Sequence, residues 1–558
     1  MCGIFAYLLL NRNHHNPPHN IKLSSQLISR RGPDVNSSKI FENISEAPYY
    51  HLLLDFYRLS IMDPSEIGNQ PMKHPTDDIY IICNGEIYNY DYLRKENNFD
   101  TQSDCDCEVI LHMYKKYGIS ETVKQLDGVF SFVIYDKDKI YIARDPIGVR
   151  PLFYGVDLDN QSMGFCSEMK SLHNLFTDIS IFPPGHYMEI NLNNQTLDQF
   201  QLYKINYNSP VPYYKYEYPI VNDKLDEETA ISEIKTLFLD AVNKRLMSDR
   251  PLGCLLSGGL DSSLVASIVS RNYKSNPQDL HTFSIGLEGS PDLKNAEIVA
   301  DYLKTTHHRV ELKVEDFINA VPDVIRATET YDITTIRASV PNYLLSKYIS
   351  EKTDIVVIMS GEGADEILGG YLYFHLAPTP EEFQEETHRR VRLLHQFDVL
   401  RCDRSTAFHG LEVRVPFLDK SFIQYILSMR PELKQPDKSK NRIEKYILRQ
   451  AFDGYLPDEI LWRQKDAFSD AVGYNWVTRI KEYATTNIDL RRYENRNKIY
   501  PHNTPDTHEA FYYREVYDSM YHGNEELISE IWRPRWTNIT DPSATALSVH
   551  ETNKYKES

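Results

Sequence analysis

This chain is short of several features that would assign it to large classes of protein. It has no basic excess: 61 Lys and Arg stand against 80 Asp and Glu, a formal net charge of −19. A nucleic-acid partner needs a basic face, so none is expected. No apolar run approaches the ~18 residues that a membrane helix requires, so no membrane partner is expected either. The start carries no charged segment ahead of its apolar stretch and does not read as a signal peptide. Cysteine is scarce, seven residues scattered over 558. An odd, dispersed set fits free thiols in a reducing compartment better than a disulfide framework, and the expected location is cytoplasmic. Cys105 and Cys107 stand at C-x-C spacing but lack a second pair elsewhere, which argues against a zinc site. There is no internal repeat and no G-x-x-x-x-G-K-[ST] loop.

What is present is enough apolar residue, 41%, to build real cores in two to four domains. The rhythm of the chain changes part-way. Up to about residue 200, short apolar runs alternate with turns: 49–54, 79–83, 129–135, 140–143 and 187–190. Asp136–Lys139 joins two of them as a hairpin, and one helical pattern spans 107–117. A Pro- and Tyr-rich stretch at 207–218 then reads as a linker. Beyond it, near-continuous apolar strands at 252–256, 281–287, 308–312 and 355–359 alternate with helices through 263–269 and 296–303. That pattern predicts a parallel sheet covered on both faces. From 380 to 535 the pattern is mostly helical, and a polar tail closes the chain.

Two constellations carry chemistry. Cys2 follows the initiator methionine. With Met1 removed, one residue holds a thiol and a free α-amine, and the amine can take the thiol proton without a separate histidine. The second constellation is Ser257-Gly258-Gly259-Leu260-Asp261-Ser262-Ser263, between a buried strand and a helix. Glycines there let backbone amides approach an anion, the helix N-terminus adds positive dipole, and Asp261 can hold magnesium against phosphate oxygens. A further turn, Ser360-Gly361-Glu362-Gly363-Ala364-Asp365-Glu366, follows another strand of the same half. Two loops at the carboxyl ends of neighbouring strands would face one crevice.

Taken together, the motifs resemble a known family. Cys2-Gly3-Ile4, Arg31-Gly32-Pro33-Asp34, Arg58-Leu59-Ser60-Ile61, Asn84-Gly85-Glu86-Ile87-Tyr88-Asn89 and Asp145-Pro146-Ile147-Gly148 are similar to a class II glutamine amidotransferase domain. The run 257–263 resembles the pyrophosphate loop of ATP pyrophosphatases. Both in this order resemble the glutamine-hydrolysing asparagine synthetases, and the likeness extends through 329–339, 369–371, 412–419 and Trp462-Arg463-Gln464-Lys465.

The resemblance implies a fold: an N-terminal αββα sandwich of the N-terminal-nucleophile hydrolase type, classed α+β. An α/β parallel-sheet ATP pyrophosphatase domain with a helical C-terminal part would follow. The implied domains are 2–205 (glutaminase), 206–225 (linker), 226–535 (synthetase) and 536–558 (tail). It also implies roles. Cys2 would attack the glutamine amide, with Asn84 and the Gly85 amide as oxyanion hole. Arg58 would hold the glutamine carboxylate, and Glu86 and Asp106 its α-ammonium. ATP would lie on Leu255, Ile285, Ser360 and Gly361, with its pyrophosphate on Ser257, Gly258, Gly259, Asp261 and Ser262. Asp261 and Asp365 would bind Mg2+. Lys465 would neutralise the phosphoryl transition state, Glu362 would act as base, and Thr335 and Arg337 would contact aspartate or its adenylate. The partners would be glutamine, aspartate and ATP, joined by a protected passage for ammonia; a homodimer is allowed.

Two departures stand out. The family pattern Ser-Asp-Cys-Glu is here Ser103-Asp104-Cys105-Asp106-Cys107-Glu108, which leaves Asp104 as an alternative to Asp106, although register from the following helix favours Asp106. Ala364 stands where many relatives carry serine. Two other readings stay open: the same fold acting on another acceptor, and an idle sensor built from the same domains. Intact Cys2, Asp261, Glu362 and Lys465 argue against the second.

Overall fold

A computed structural model describes residues 1–10, 20–43, 50–192, 210–219, 224–273, 277–466, 468–539 and 547. Parts of the expected linker (206–209, 220–223) and tail (540–546, 548–558) lie outside the described residues. The chain forms two compact units. The first comprises Met1–Lys215, Met247–Arg250 and Ala407–Glu412; the second comprises Tyr216–Leu246, Pro251–Thr406 and Val413–Ser558. A division by position alone misses the two short segments in the first unit. Long-range contacts place them there: the Asp249 N–H donates to Ile61 O at 3.1 Å, and the Met1 α-ammonium donates to Leu411 O at 3.2 Å.

The first unit is built on two six-stranded sheets. Its strands are β1 (Gly3–Leu9), β2 (Val35–Asn43), β3 (Tyr50–Arg58), β4 (Met72–Lys73), β5 (Ile79–Ile87), β6 (Gly128–Asp136), β7 (Lys139–Arg144), β8 (Phe153–Asp157), β9 (Ser162–Cys166), β10 (Asp178–Ile181), β11 (His186–Asn191) and β12 (Val211–Pro212). The strand orders are β10-β8-β9-β1-β3-β2 and β12-β11-β7-β6-β5-β4. Period-2 alternation sorts the side chains. Ile4, Ala6, Leu8, Leu52, Leu54 and Phe56 from one sheet meet Ile82, Val133, Ile140, Ile142 and Met188 from the other in a shared core. The opposite face of the second sheet, with Ile79, Ile81, Cys83, Phe130 and Phe132, is covered by Val109, Ile110 and Met113 of the helix Glu108–Gln125. Short helices Ile21–Gln26 and Lys170–His173 lie against the first sheet's side. This is an αββα sandwich.

The sequence reading did not name β1, β2, β4 or β8–β10; polar or Gly-containing runs hide the alternation in β2 and β8–β10, and β4 is two residues long. It also placed β12 in a linker. Val211–Pro212 pairs with β11 instead, and Tyr213 fixes it by donating from its hydroxyl to Arg144 O at 2.7 Å.

In the second unit a five-stranded sheet has the order β15-β14-β13-β16-β17, with β13 (Leu252–Leu255), β14 (His281–Leu287), β15 (Thr306–Leu312), β16 (Val357–Met359) and β17 (Glu412–Arg414). β13 to β16 run parallel. The central strands are buried apolar runs, while β15, at the edge, is mostly polar and partly exposed. Helices Leu260–Asn272, Pro291–Leu303, Val314–Thr328 and Ile333–Lys352 connect the strands. A largely helical part follows, including Pro380–Leu393, Asp398–Ala407, Tyr474–Asn487 and His508–Tyr521. No helix among the described residues is long and apolar enough to cross a membrane.

Candidate active sites

In the first unit, strand parity brings two predicted residues to one place. Cys2 shares the parity of Ile4, Ala6 and Leu8 and packs against the core between the sheets. Asn84, on β5, shares the parity of Ile82 and faces the same space. The Leu59 N–H donates to Cys2 Sγ at 3.4 Å, and the thiol lies 3.5 Å from Leu59 O. Burial pushes the Cys2 thiol up to about 11, with the α-ammonium of Met1 opposing that shift. Met1 is itself buried, and burial lowers its α-ammonium to about 5.

Asn84 is fully buried, yet neither its Oδ1 nor its Nδ2 has a hydrogen-bond partner among the described residues. An unsatisfied amide costs about 1–3 kcal/mol, which a ligand oxygen would recover. Gly85 is required sterically: a Cβ there would lie 2.4 Å from Val129 O. Glu86 is buried and close enough to raise the Cys2 thiol electrostatically.

The surrounding motifs form a frame. Arg31 Nε donates to Cys2 O at 2.9 Å and its Nη1 pairs with Glu168 at 2.9 Å. Asp34 accepts from the Ser60 N–H at 2.8 Å. The buried Asp145 carboxylate gathers the N–H groups of Ile147, Gly148, Val149 and Arg150 at 2.7–3.0 Å. Arg58 is buried, and its guanidinium is already held by neutral oxygens: Ser65 O and Asn69 Oδ1 at 2.7 Å, Met62 O at 3.3 Å, and Asp63 O. Four of its five N–H groups hold the 62–69 loop, so a carboxylate would have to share or displace these bonds.

Asp106 is buried and its Oδ2 accepts from the Ile87 N–H at 2.6 Å, beside Asn84–Glu86. Asp104 points outward, with its side chain 83% exposed and 3.5 Å from Arg94. Of the two, Asp106 is the buried one and Asp104 the exposed one.

In the second unit a cavity opens at the ends of β13, β14 and β16. It is lined by Leu255, Ser257, Gly259, Asp261, Ser262, Ile285, Ser360, Gly361, Glu362, Asp365 and Lys465. These are most of the residues named from the sequence. Gly258 turns the loop beneath the cavity at φ +72°, where a Cβ would strike Asn295 and Ala296. The two loops touch: a Cβ on Gly361 would lie 2.6 Å from Ser262 N. The helix Leu260–Asn272 has no side-chain cap, so its first N–H groups are available to an anion. Ala364 is buried and does not line the cavity.

Charge fills this site. Lys445, buried, bridges Asp261 Oδ2 and Asp365 Oδ1 at 2.6 Å each. Lys465 Nζ lies 2.9 Å from Asp365 and 3.9 Å from Asp261. Burial alone would raise Asp365, but the two lysines hold it well below the usual carboxylate range. Among the described residues Asp261 Oδ1 is a buried acceptor without a hydrogen-bond partner, which suits a divalent cation at this edge. Glu362 accepts from Arg401 Nη2 at 2.7 Å, and Arg401 also reaches Asp398 at 2.6 Å. Burial pushes Glu362 up to about 7, with Arg401 limiting the rise.

Two predicted residues lie elsewhere. Thr335 donates its N–H and hydroxyl to Asp332, capping the helix Ile333–Lys352. Arg337 is buried against Glu509 at 2.8 and 2.5 Å. Thr334 lines the cavity instead, with its hydroxyl unpartnered among the described residues. The helical period turns successive residues by about 100°, so a one-residue difference moves the side chain off the cavity. Lys445, Arg401, Asp398 and Asp292 also escaped the sequence reading. They lie far along the chain from the loops they serve and sit in no local motif.

The model of the glutamine amidotransferase domain family matches residues 1–175, and that of the asparagine synthase family matches residues 233–381 and 376–549. The glutamine-hydrolysing asparagine synthetase of Homo sapiens is 44% identical over 555 residues, covering 95% of this chain and 96% of that protein. That of Gallus gallus is 44% identical over 548 residues with the same coverage. The fold and its two sites define a class: a glutamine amidotransferase domain built as an αββα sandwich, followed by an α/β unit of the asparagine synthase family. Within that class, the chain belongs to the glutamine-hydrolysing asparagine synthetase family.

Proposed function

We propose that this enzyme makes asparagine from aspartate in an ATP-dependent reaction, with glutamine as the ammonia donor. In the first unit, glutaminase in this reading, the Cys2 thiolate attacks the glutamine amide carbon and the tetrahedral oxyanion is held by Asn84 and the Gly85 N–H. Ammonia leaves, and water hydrolyses the thioester to glutamate. Removal of Met1 is part of this reading. A thiol pushed up to about 11 is a poor nucleophile near neutral pH, whereas a free α-amine on Cys2 can take its proton. Arg58 takes the glutamine carboxylate, and Glu86 with Asp106 its α-ammonium.

In the second unit, the aspartate β-carboxylate attacks the α-phosphorus of ATP. The bond to the β-phosphate breaks and pyrophosphate leaves, giving β-aspartyl-AMP. The loop 257–263 and the uncapped helix end cradle the pyrophosphate, and Lys465 with Lys445 offsets its charge. Asp261 and Asp365 would hold Mg2+, which when bound neutralises phosphate charge. Ammonia attacks the acyl carbon, AMP leaves, and Glu362 takes the proton. A base near 7 is matched to that step. Thr334 is the first candidate for contact with aspartate, with Thr335 and Arg337 behind it. Small molecules are the partners, and seven free cysteines support a cytoplasmic, reducing setting.

The observation that carries this reading is the Asp261–Lys445–Asp365–Lys465 cluster beneath an open helix N-terminus, with Glu362 on the adjoining turn. It is tested by the products. Aspartate, ATP, Mg2+ and glutamine should yield AMP, pyrophosphate and asparagine in equal amounts. Stoichiometric ADP and phosphate would overturn it.

A further inference from the structure

The turn that departs from the family pattern gathers soft ligands. Cys105 Sγ, a carboxylate oxygen of Asp106 and Cys107 Sγ all lie within 4.8 Å of one another. Cys105 Sγ is 4.0 Å from Asp106 Oδ1, and Cys107 Sγ is 3.8 Å from Asp106 Oδ2. In a tetrahedral site with Zn–S near 2.3 Å and Zn–O near 2.1 Å, sulfur–oxygen edges are about 3.6 Å. The two sulfurs meet different oxygens of the carboxylate, so a cation held on one oxygen requires the set to close from within 4.8 Å to that spacing, by at most about 1.2 Å along any edge. Cys105 is part-exposed and offers an entry side, while Asp106 and Cys107 are buried. A second sulfur source, which the C-x-C pair lacks in sequence, stands on β5: Cys83 faces the same layer as Cys107.

We propose that Cys105, Asp106 and Cys107 form a binding site for a thiophilic divalent cation of the zinc class, with a fourth position left to an exchangeable water. The site has a functional consequence, which rests on the role given to Asp106 above. β5 carries Asn84 toward the space between the sheets and Cys83 toward the layer that holds the three ligands. Asp106 Oδ2 binds the Ile87 N–H of that same strand, and the Cys107 thiol donates to Gly85 O at 3.6 Å. A cation on Asp106 cancels the charge offered to the glutamine α-ammonium and competes for the bond to Ile87. Metal would thus shut off glutamine use and leave synthesis from free ammonia running.

The binding test uses the full chain with Cys2→Ala, which removes the reactive thiol, in the presence of a phosphine reductant. Cd2+ alone is titrated and sulfur-to-cadmium charge-transfer absorbance is recorded. One equivalent should bind, and Cys105→Ser with Cys107→Ser should abolish the band. Ammonia-supported synthesis serves as the check that the variant folds. An unchanged band in that variant overturns the site. For the coupling, Zn2+ is added to the enzyme with Cys2 intact. Glutamine-supported synthesis should fall about tenfold, Cys105→Ser should lose less than about twofold of its rate, and ammonia-supported synthesis should be unaffected in both. Equal inhibition of parent and Cys105→Ser overturns the coupling. Absence of glutamine-supported synthesis from the metal-free parent overturns the functional reading instead.

Discussion

The two units solve opposite electrostatic problems. Around Cys2 the groups that would meet the reacting amide are neutral: a thiol, the amide of Asn84, with no partner among the described residues, and the backbone N–H of Gly85. Around Asp261 the charged groups are matched to one another, with Lys445 and Lys465 between two aspartates and Arg401 between Glu362 and Asp398. The difference follows from the chemistry. Attack on an amide creates one negative oxygen, and a preorganised neutral donor stabilises it without cancelling a charge beforehand. Phosphoryl transfer brings several negative charges in at once. Buried cations must be ready for them, and carboxylates keep those cations from being stranded before substrate binds. The first site therefore stores its cost as an unsatisfied amide, and the second as a dense ion-pair cluster.

The sharpest way to break this comparison is to remove the one atom on which only the first site depends. Cys2→Ala should lower glutamine-supported asparagine synthesis by about 10³-fold or more. Synthesis from ammonium salts should stay within about twofold and increase with pH as free ammonia grows. Loss of both activities would mean that the sites are not chemically independent. A blocked N-terminus should mimic Cys2→Ala, because it removes the amine without touching the thiol.

Next is Glu362. Glu362→Gln should cost about 10²–10⁴ in ammonia-supported synthesis while ATP binding persists through the loop amides. The pH profile adds a sign. A base at about 7 is protonated and inactive below that pH, so the rate at fixed free ammonia should rise through 7 and then level. Arg401 holds Glu362 down, so Arg401→Met should move the rising limb to higher pH. A limb that stays in place would assign the base elsewhere.

The comparison also accounts for what was legible in sequence. Around Cys2, the site is assembled from strand ends and tight turns whose residues sit in contiguous motifs, such as Arg31–Asp34 around Cys2 O and Asp145–Gly148 around one carboxylate. Local geometry fixes those residues, so local sequence shows them. The loop residues 257–263 and 360–362 were legible for the same reason. Lys445 and Arg401 were not, because their partners are supplied by the tertiary fold and lysines and arginines are common on any surface. Thr334 was missed for Thr335 because a threonine pair at a helix start does not say which hydroxyl caps and which faces the ligand; Asp332 decides it. In the fold, buried parallel strands were evident as apolar runs, whereas β2, with exposed Asn36, Ser38 and Lys39 and apolar residues only at Val35, Ile40 and Phe41, left little apolar signal.

A smaller effect sharpens the first site. Asp106→Asn should raise KM for glutamine by about 10–100-fold with less effect on kcat, as expected for the loss of one buried charge contact to substrate. Asp104→Asn should stay within about twofold, since its side chain is solvated. The reverse ranking would return the ammonium contact to Asp104.

The smallest effect probes what the second site costs the fold. Asp292 lines the cavity, and burial pushes it up to about 7 from 3.8, with Arg463 only partly opposing the shift. For an acid whose folded pKa is raised, the unfolded chain releases the proton first. Stability is therefore fully present below about pH 4, falls between pH 4 and 7, and is level above 7. The span corresponds to at most about 4 kcal/mol, less after local relaxation. Asp292→Asn removes the titration, so it should raise the melting temperature by about 2–4 °C at pH 8 and leave it nearly unchanged at pH 4. A lower melting temperature at pH 8 would show that pairing with Arg463 stabilises the ionised carboxylate there. The acid would then belong to the same matched network as Asp261 and Asp365, and the contrast between the two units would extend one residue further.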